Sequence, residues 1–141
     1  MQLMKHVFFV LFALIVLMSV SCKSPRSSSS EKLEQHKWVL SELNGTPVQM
    51  SNTNKDANLQ FNYKEMRISG NGGCNNISGT FTATKTKLLF GPVLSTKMAC
   101  PDMKFEDVFL QVLAQVNRYE ITATELLLKN NNRIVARLLP K

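Results

Sequence analysis

The sequence predicts an α+β domain, in which a compact antiparallel β-sheet or partly open barrel of short strands packs around one amphipathic helix. From Trp38 onward, apolar and polar residues alternate in short runs separated by turn residues, which is typical of half-buried antiparallel strands. Between Asp102 and Arg118 the apolar spacing lengthens to that of a helix with one apolar face. The strands and the helix each need a partner to bury their apolar faces, so one shared core is expected.

The first elements are a lead-in and a hairpin. Residues 31–37 are polar enough for a short helical or irregular segment. The dipeptide Asn44-Gly45 suits the two positive φ angles of a type I′ turn, so it is predicted to join strands at 38–43 and 46–50. Because Pro47 has no N–H to donate, the second strand should be short or lie at an edge.

The middle of the domain is predicted to contain further short strands around a glycine-rich corner. These elements are a loop at 51–56, strands at 59–63 and 66–68, the corner at 70–76, a strand at 77–83, a turn at 84–87, a strand at 88–90 that Gly91-Pro92 ends, and a short strand or extended loop at 93–99. In the 77–83 strand, Phe81 should face the same side as Ile77 and Gly79.

One helix is predicted, with Asp102 as its N-cap and Arg118 complementing the helix dipole near its end. Its apolar face consists of Phe105, Val108, Phe109, Val112, Leu113 and Val116. Its outward face consists mostly of Lys104, Glu106, Asp107, Gln111 and Gln115. Three strands should follow, at 119–123, 126–129 and 133–139, the last two joined by three asparagines.

The N-terminus has the pattern of a secretory signal peptide over residues 1–21. A basic start precedes the apolar run Val7–Met18, which is too short to span a bilayer. Small residues before Cys22 are typical of bacterial lipoprotein processing, so we expect Cys22 to carry lipid. Residues 22–35 would then form a flexible, serine-rich tether to a domain at 36–141. The alternative is a simple secretory signal that leaves Cys22 as a free thiol.

These features predict a protein of the bacterial cell envelope, lipid-anchored and facing the periplasm, with the outer membrane favoured over the inner one. The formal net charge is +7, and the signal peptide removes one of these charges with Lys5. The basic residues are scattered from Lys32 to Lys141. We therefore expect a solvated surface near anionic lipid and no nucleic-acid site. The membrane is the expected partner, and another envelope protein is a second candidate.

Two cysteines remain once Cys22 is assigned to lipid. In an oxidising compartment Cys74 and Cys100 are the one available pair, which favours a disulfide. The alternative is two buried, reduced thiols that act as small hydrophobic groups.

No catalytic or metal-binding cluster is visible in the sequence. His36 is the single histidine of the predicted domain, so a zinc site is disfavoured and a surface position is expected. A nucleophilic pair of His36 with Cys74 or Cys100 would need a free thiol. The stretch Gly70–Gly73 lacks the Lys-Ser/Thr pair and the helix of a phosphate-binding loop. We predict a protein without enzymatic activity, metal or cofactor.

The remaining conspicuous residues receive structural interpretations. Asn75 and Asn76 tolerate left-handed backbone and hydrogen-bond nearby peptide groups. Glu106 and Asp107 are neighbours that do not face each other on a helix, so they are interpreted as first-turn partners of its dipole. Residues expected in the core are Trp38, the phenylalanines and Met98.

Several motifs occur in a fixed order from Trp38 to Leu139. They are Trp38-x-Leu40, Leu43-Asn44-Gly45-x-Pro47-Val48, Ile68-Ser69-Gly70, Gly73-Cys74-Asn75, Ser78-Gly79, Thr96-x-Met98-x-Cys100 and the helix with Glu106. This set resembles the META domain family, the group that includes the heat-shock lipoprotein HslJ. The residues that match its motifs are Gly70, Gly73, Asn75, Gly79, Thr96 and Met98, whereas Gly72-Gly73 before Cys74 is an insertion.

The resemblance implies a compact antiparallel β structure wrapped around a helix, an envelope location that often depends on a lipid anchor, and an association with stress or drug tolerance. No catalytic activity is established for the family, so the resemblance supplies no catalytic residues. Two functions remain open. The first is a non-enzymatic module that binds another protein or an envelope component. The alternative is a small-ligand-binding or hydrolase-inhibitor module of the periplasm. A deep apolar pocket beside Asn75 would favour the alternative, and a flat exposed patch would favour the first.

Overall fold

The computed structural model describes residues 29–49, 56–100 and 103–141. The expected signal peptide, Cys22, most of the 51–56 loop and the N-cap at Asp102 lie outside these residues. The helices are α1 at Ser29–Glu34 and α2 at Met103–Gln115. The strands are β1 at Trp38–Leu43, β2 at Thr46–Pro47, β3 at Asn58–Asn62, β4 at Arg67–Asn71, β5 at Asn76–Ala83, β6 at Leu88–Ser95, β7 at Arg118–Ile121, β8 at Leu126–Asn130 and β9 at Arg133–Pro140.

The strands form one antiparallel sheet in the order β6-β5-β4-β3-β1-β9-β8-β7, with β2 beside β1. The sheet curls until its two outer strands meet at a single bridge between Lys87 and Arg118. Hydrogen bonds from Leu88 N to Asn117 O, 3.4 Å, and from Tyr119 N to Thr86 O, 3.2 Å, support that contact. The result is a curled half-barrel with one main helix, which confirms the predicted α+β class.

The core lies inside the curl, between the concave face of the sheet and the two helices. α2 packs against β6 and buries Phe109, Val112 and Leu113. α1 contacts β3 and β7 and buries Leu33, whose carbonyl accepts a 2.8 Å hydrogen bond from Trp38 Nε1. The inward residues of the strands complete one cluster: Trp38, Leu40, Leu43, Leu59, Phe61, Ile68, Ile77, Phe81, Leu88, Tyr119, Leu126, Leu128, Val135, Ala136 and Leu138. No helix among the described residues has the length and apolar character needed to span a membrane.

The predicted hairpin at the start of the domain is confirmed. Asn44 and Gly45 have φ angles of +50° and +81°, as a type I′ turn requires. β2 is only two residues long and includes Pro47, in agreement with the expectation of a short strand. The prediction that Phe81 faces the same side of β5 as Ile77 and Gly79 is also confirmed, because all three residues are buried.

The predicted break at Gly91-Pro92 is wrong, because β6 continues through it to Ser95. The register against β5 shifts there, from Gly79 opposite Val93 to Phe81 opposite Phe90. Pro92 therefore sits in a bulge of a strand at the end of the sheet order, where its missing N–H deprives no neighbouring strand of a hydrogen bond.

Two further boundaries differ from the sequence prediction. Met66 belongs to the turn between β3 and β4, where it is exposed with a φ of +52°. α2 ends at Gln115, so Arg118 lies in β7 and does not complement the helix dipole. The chain leaves the helix because Asn117 N bonds to Lys129 O, 3.0 Å, in the neighbouring strand β8.

Candidate functional site

The glycine-rich corner is the tight turn between β4 and β5. Asn71 pairs with Asn76, and Gly72 N donates to Asn75 O at 2.8 Å across the turn. Gly73 has a φ of +105°, and a Cβ there would lie 2.8 Å from Cδ1 of Phe105 on α2. The turn therefore needs glycine both for its backbone and for its close approach to the helix.

Asn75 and Glu106 connect this turn to the first turn of α2. Asn75 N donates to Glu106 Oε2 at 2.7 Å, and Asn75 Nδ2 donates to Glu106 Oε1 at 3.1 Å. Ser95 Oγ donates to the same Oε1 at 2.6 Å. Glu106 is only 3% exposed, so the prediction that it faces outward is wrong. It lies on the buried stripe of α2 with Phe109 and Leu113, three and seven residues later, and that spacing was visible in the sequence.

Hydrogen bonds hold Glu106 in its ionised form. Burial raises the pKa of its carboxyl, but hydrogen bonds from Ser95, from the backbone and side chain of Asn75, and from the backbone of Cys74 outweigh burial and lower the pKa below its ordinary value. Among the described residues, no lysine or arginine forms an ion pair with it. The carboxylate accepts protein hydrogen bonds on both oxygens, which gives it a structural role in this site.

The other side of Asn75 holds the segment after β6. Its Oδ1 accepts hydrogen bonds from Met98 N, 2.7 Å, and from Thr96 Oγ1, 3.0 Å. Its Nδ2 also approaches Met98 O at 3.4 Å. Met98 thus contributes its backbone, while its side chain is 53% exposed, so the prediction of a core methionine is wrong. Asn75 itself is fully buried and acts structurally.

A disulfide between Cys74 and Cys100 closes this segment onto the corner, with the two Cα atoms 6.1 Å apart. The structure thus brings together Gly73, Asn75, Thr96, Met98 and the cysteine pair. Gly70 and Gly79 lie outside the turn, in β4 and β5, where they face Leu59 and Val93 of the neighbouring strands.

His36 lies away from the corner. It is exposed, and its ring makes an edge contact with Trp38, the two centroids 5.4 Å apart. Within the described part of the chain, no three side chains of the His, Cys, Asp or Glu type are grouped as a metal would require.

An open apolar groove of about 620 Å³ adjoins the corner. Its walls come from the β1–β2 hairpin and the residues that follow it, the two residues before β3, Gly73 and the first half of α2. The apolar lining residues are Leu43, Pro47, Val48, Ala57, Phe105 and Val108, and the polar ones are Asn44, Thr46, Gln49 and Asp56. Val108 is 41% exposed in this groove although it belongs to the predicted apolar face of the helix. Sequence reasoning missed the groove, because its lining residues come from four separate segments between Leu43 and Val108.

Comparisons with known proteins agree with these observations. The family model described as META domain matches residues 31–141. A structure solved by NMR is similar with a TM-score of 0.60 and 26% identity, covering 77% of this chain and 92% of the other. A second NMR structure, of a protein from Burkholderia xenovorans, has a TM-score of 0.64 and 22% identity, covering 79% and 86%. It is similar at the level of the fold. No curated protein matches the chain. Since the matching model spans most of the sequence, the chain belongs to the META domain family.

Proposed function

We propose that this META domain is a non-enzymatic binding module of the bacterial cell envelope, anchored by lipid at Cys22 and facing the periplasm. The observation that carries the proposal is the groove beside the corner. Hydrophobic grooves are a recurring kind of site at which one protein takes up an apolar segment of another. The proposed occupant is an apolar segment of another envelope protein.

The shape of the groove favours a protein segment. It is an open groove among the described residues, and the side-chain amide and hydroxyl groups of Asn44, Thr46 and Gln49 that line it could pair with a peptide backbone. Asn75 is not among the residues that line it, and both polar atoms of its side chain form hydrogen bonds inside the domain. Asn75 therefore offers no free polar group to a ligand in this groove.

A small apolar ligand is the second candidate, and the volume of the groove favours it. A site of about 620 Å³ has room for a ligand of drug size. Such a ligand would be retained with the purified, lipidated protein and would appear as an added mass in the native state.

Photo-crosslinking in living cells tests the proposal. A photoreactive residue at Val48, in the groove, should form a covalent product with one envelope protein. The same residue at Thr124, in an exposed turn outside the groove, should not form it. Identical products from both positions would contradict a specific groove site. Absence of any protein product from Val48, together with a stoichiometric bound small molecule, would favour the second candidate.

A further inference from the structure

The outer surface of β5 and β6 carries no charged side chain. Ile77, Phe81 and Leu88 are buried in the core, so the residues that alternate with them point outward. We call this surface the β5–β6 face and define it by its outward residues: Asn76, Ser78, Thr80, Thr82, Leu89, Pro92 and Leu94. Neither strand contains an acidic or basic residue at any position.

An open cavity of about 400 Å³ lies in the β5–β6 face. Its lining comes from both strands and from the turn between β3 and β4: Glu65, Met66, Thr80, Phe81, Thr82, Leu89, Phe90 and Gly91. The missing side chain of Gly91 keeps the space beside Thr80 open, because a Cβ there would collide with Thr80 Oγ1. Met66 and Leu89 are exposed and supply apolar walls. The cavity is therefore largely apolar, with Glu65 as its one charged lining residue.

Leu94 projects from the same face, near the end of β6. It is 70% exposed, more than any other large apolar side chain among the described residues. It lies opposite Ser78 of β5, whereas Leu89 in the cavity wall lies opposite Thr82. Along β6, the distance from Leu94 to the lining residues 89–91 is three to five residues, or about 10 to 17 Å. One surface thus carries both a projecting apolar side chain and an apolar cavity.

This arrangement is complementary to itself. A two-fold axis that crosses β6 at Pro92, midway between Leu94 and Phe90, would place Leu94 of each copy over the cavity of the other. A symmetric dimer needs such a patch, in which one residue contacts a second and that second contacts the first. The contact would also bury apolar side chains that one copy leaves exposed to water.

Charge favours a second copy as the occupant of this face. The formal net charge of the chain is +7, so two copies repel each other unless their contact excludes basic residues. β5 and β6 meet that condition, although Arg67, opposite Thr80, and Lys87, before β6, lie at the borders of the face. Strands β1 and β7–β9 do not meet it, since none of their charged residues is buried: Glu42, Arg118, Glu120, Lys129, Arg133 and Arg137.

Glu65 and Lys97 complement each other in the two-fold arrangement. Both are exposed, and neither has an ion-pair partner among the described residues. Lys97 follows Leu94 by three residues, which span at most about 10 Å. With Leu94 in the cavity of the second copy, Lys97 lies within reach of the Glu65 carboxylate that lines this cavity. The symmetry forms the ion pair twice.

We infer that the β5–β6 face is the contact surface of a symmetric dimer of this chain, in which Leu94 of each copy occupies the cavity of the other. Two strands of eight residues offer a face about 26 Å long and about 10 Å wide, which is small for a specific interface. The dimer is therefore reversible and depends on protein concentration. The inference depends neither on the groove nor on the anchor at Cys22.

Photo-crosslinking between two differently tagged copies of the full chain, made in the same cells, tests the dimer. A photoreactive residue at Leu94 should give a product that carries both tags, with the attachment at a residue that lines the cavity. The same group at Thr124, in an exposed turn outside the face, should not give this product. A product with a different protein alone, or no product from Leu94, would overturn the inference.

Exchange of two charges makes the test specific. Glu65→Lys and Lys97→Glu should each lower the yield of the two-tag product about fivefold, because each replaces two attractions by two repulsions. The combined variant should restore the yield, which a defect in folding would not do. A combined variant with no more product than the single variants would overturn the inference.

A second pair of variants separates the dimer from the groove. With the photoreactive residue at Thr82, in the cavity wall, Leu94→Asp should reduce the two-tag product at least about tenfold. Val108→Asp, in the groove, should leave that product unchanged, and both variants should keep the unfolding temperature of the wild type. Leu94→Asp should in turn leave the product from Val48 unchanged. Equal yields of the two-tag product in Leu94→Asp and Val108→Asp would overturn the dimer and leave the groove proposal standing.

Discussion

At the residue scale, Asn75 and Glu106 are the pair on which the corner depends. Each is buried, and each finds its hydrogen-bond partners inside the domain. The alternative for such groups is burial without partners, which is costly, so the network strongly favours one arrangement of the turn, the Thr96–Cys100 segment and α2. Glu106 is also the one charged residue that is buried among the described residues.

Replacing Glu106 by glutamine should destabilise the domain. The amide keeps the size of the side chain, but its NH₂ group would face donors from Asn75 or Ser95 and leave them unsatisfied. We expect Glu106→Gln to lower the free energy of unfolding by about 2 kcal/mol, measured by urea denaturation. Asp107→Asn, next in the chain but exposed, is the matched control and should change it by less than about 0.5 kcal/mol. Equal effects of the two variants would contradict the network.

The same pair predicts how stability depends on pH. The pKa of Glu106 is lowered in the fold, so its contribution is present above the ordinary value of 4.5 and is lost as the pH falls through the folded pKa. The unfolding free energy of the wild type should therefore decline more steeply below about pH 4.5 than that of Glu106→Gln. Urea denaturation at a series of pH values measures both curves. Parallel curves would show that Glu106 titrates alike in the folded and unfolded chains.

At the scale of elements, most strands and the helix could be predicted, because alternation, turn residues and helical spacing are local signals. Three features could not be predicted from these local signals. Strand β6 continues past Pro92 because it lies at the end of the strand order, where a proline interrupts no second ladder. Which strand lies at the end depends on the pairing of the whole sheet. The spacing of Glu106 from Phe109 and Leu113 allowed an inward position, but the donors that make a buried carboxylate favourable come from a turn 31 residues earlier, which no local pattern indicates. The groove exists because the β1–β2 hairpin and α2 both lie next to the corner. The pattern of any one of these segments does not indicate that they meet.

The disulfide should stabilise the two segments that it joins. It closes a loop with a sequence separation of 26 residues, and loss of such a link restores entropy to the unfolded chain. We expect Cys74→Ser with Cys100→Ser to lower the free energy of unfolding by about 3 kcal/mol. A reductant should destabilise the wild type and leave the double variant unchanged. If the wild type were insensitive to reduction under unfolding conditions, the link would contribute nothing to stability.

At the scale of the whole molecule, the half-barrel separates two surfaces. α1, Lys37 and Lys141 lie at one end of β1, and the apolar groove lies beside the β1–β2 hairpin at its other end. A chain anchored at Cys22, as proposed, would enter the domain at the first of these ends, and the groove would lie at the other. Under the proposed function, this separation would keep a partner in the groove away from the end at which the anchored chain enters the domain.

The most direct test of the groove as a binding site compares two variants of α2 in the crosslinking assay from position 48. Val108→Asp places a charge in the groove, whereas Gln111→Asp places the same charge on the exposed side of the same helix. The account predicts that Val108→Asp reduces the crosslinked product at least about tenfold, while Gln111→Asp leaves it unchanged and both proteins keep the unfolding temperature of the wild type. Undiminished crosslinking in Val108→Asp would contradict the groove as the binding site.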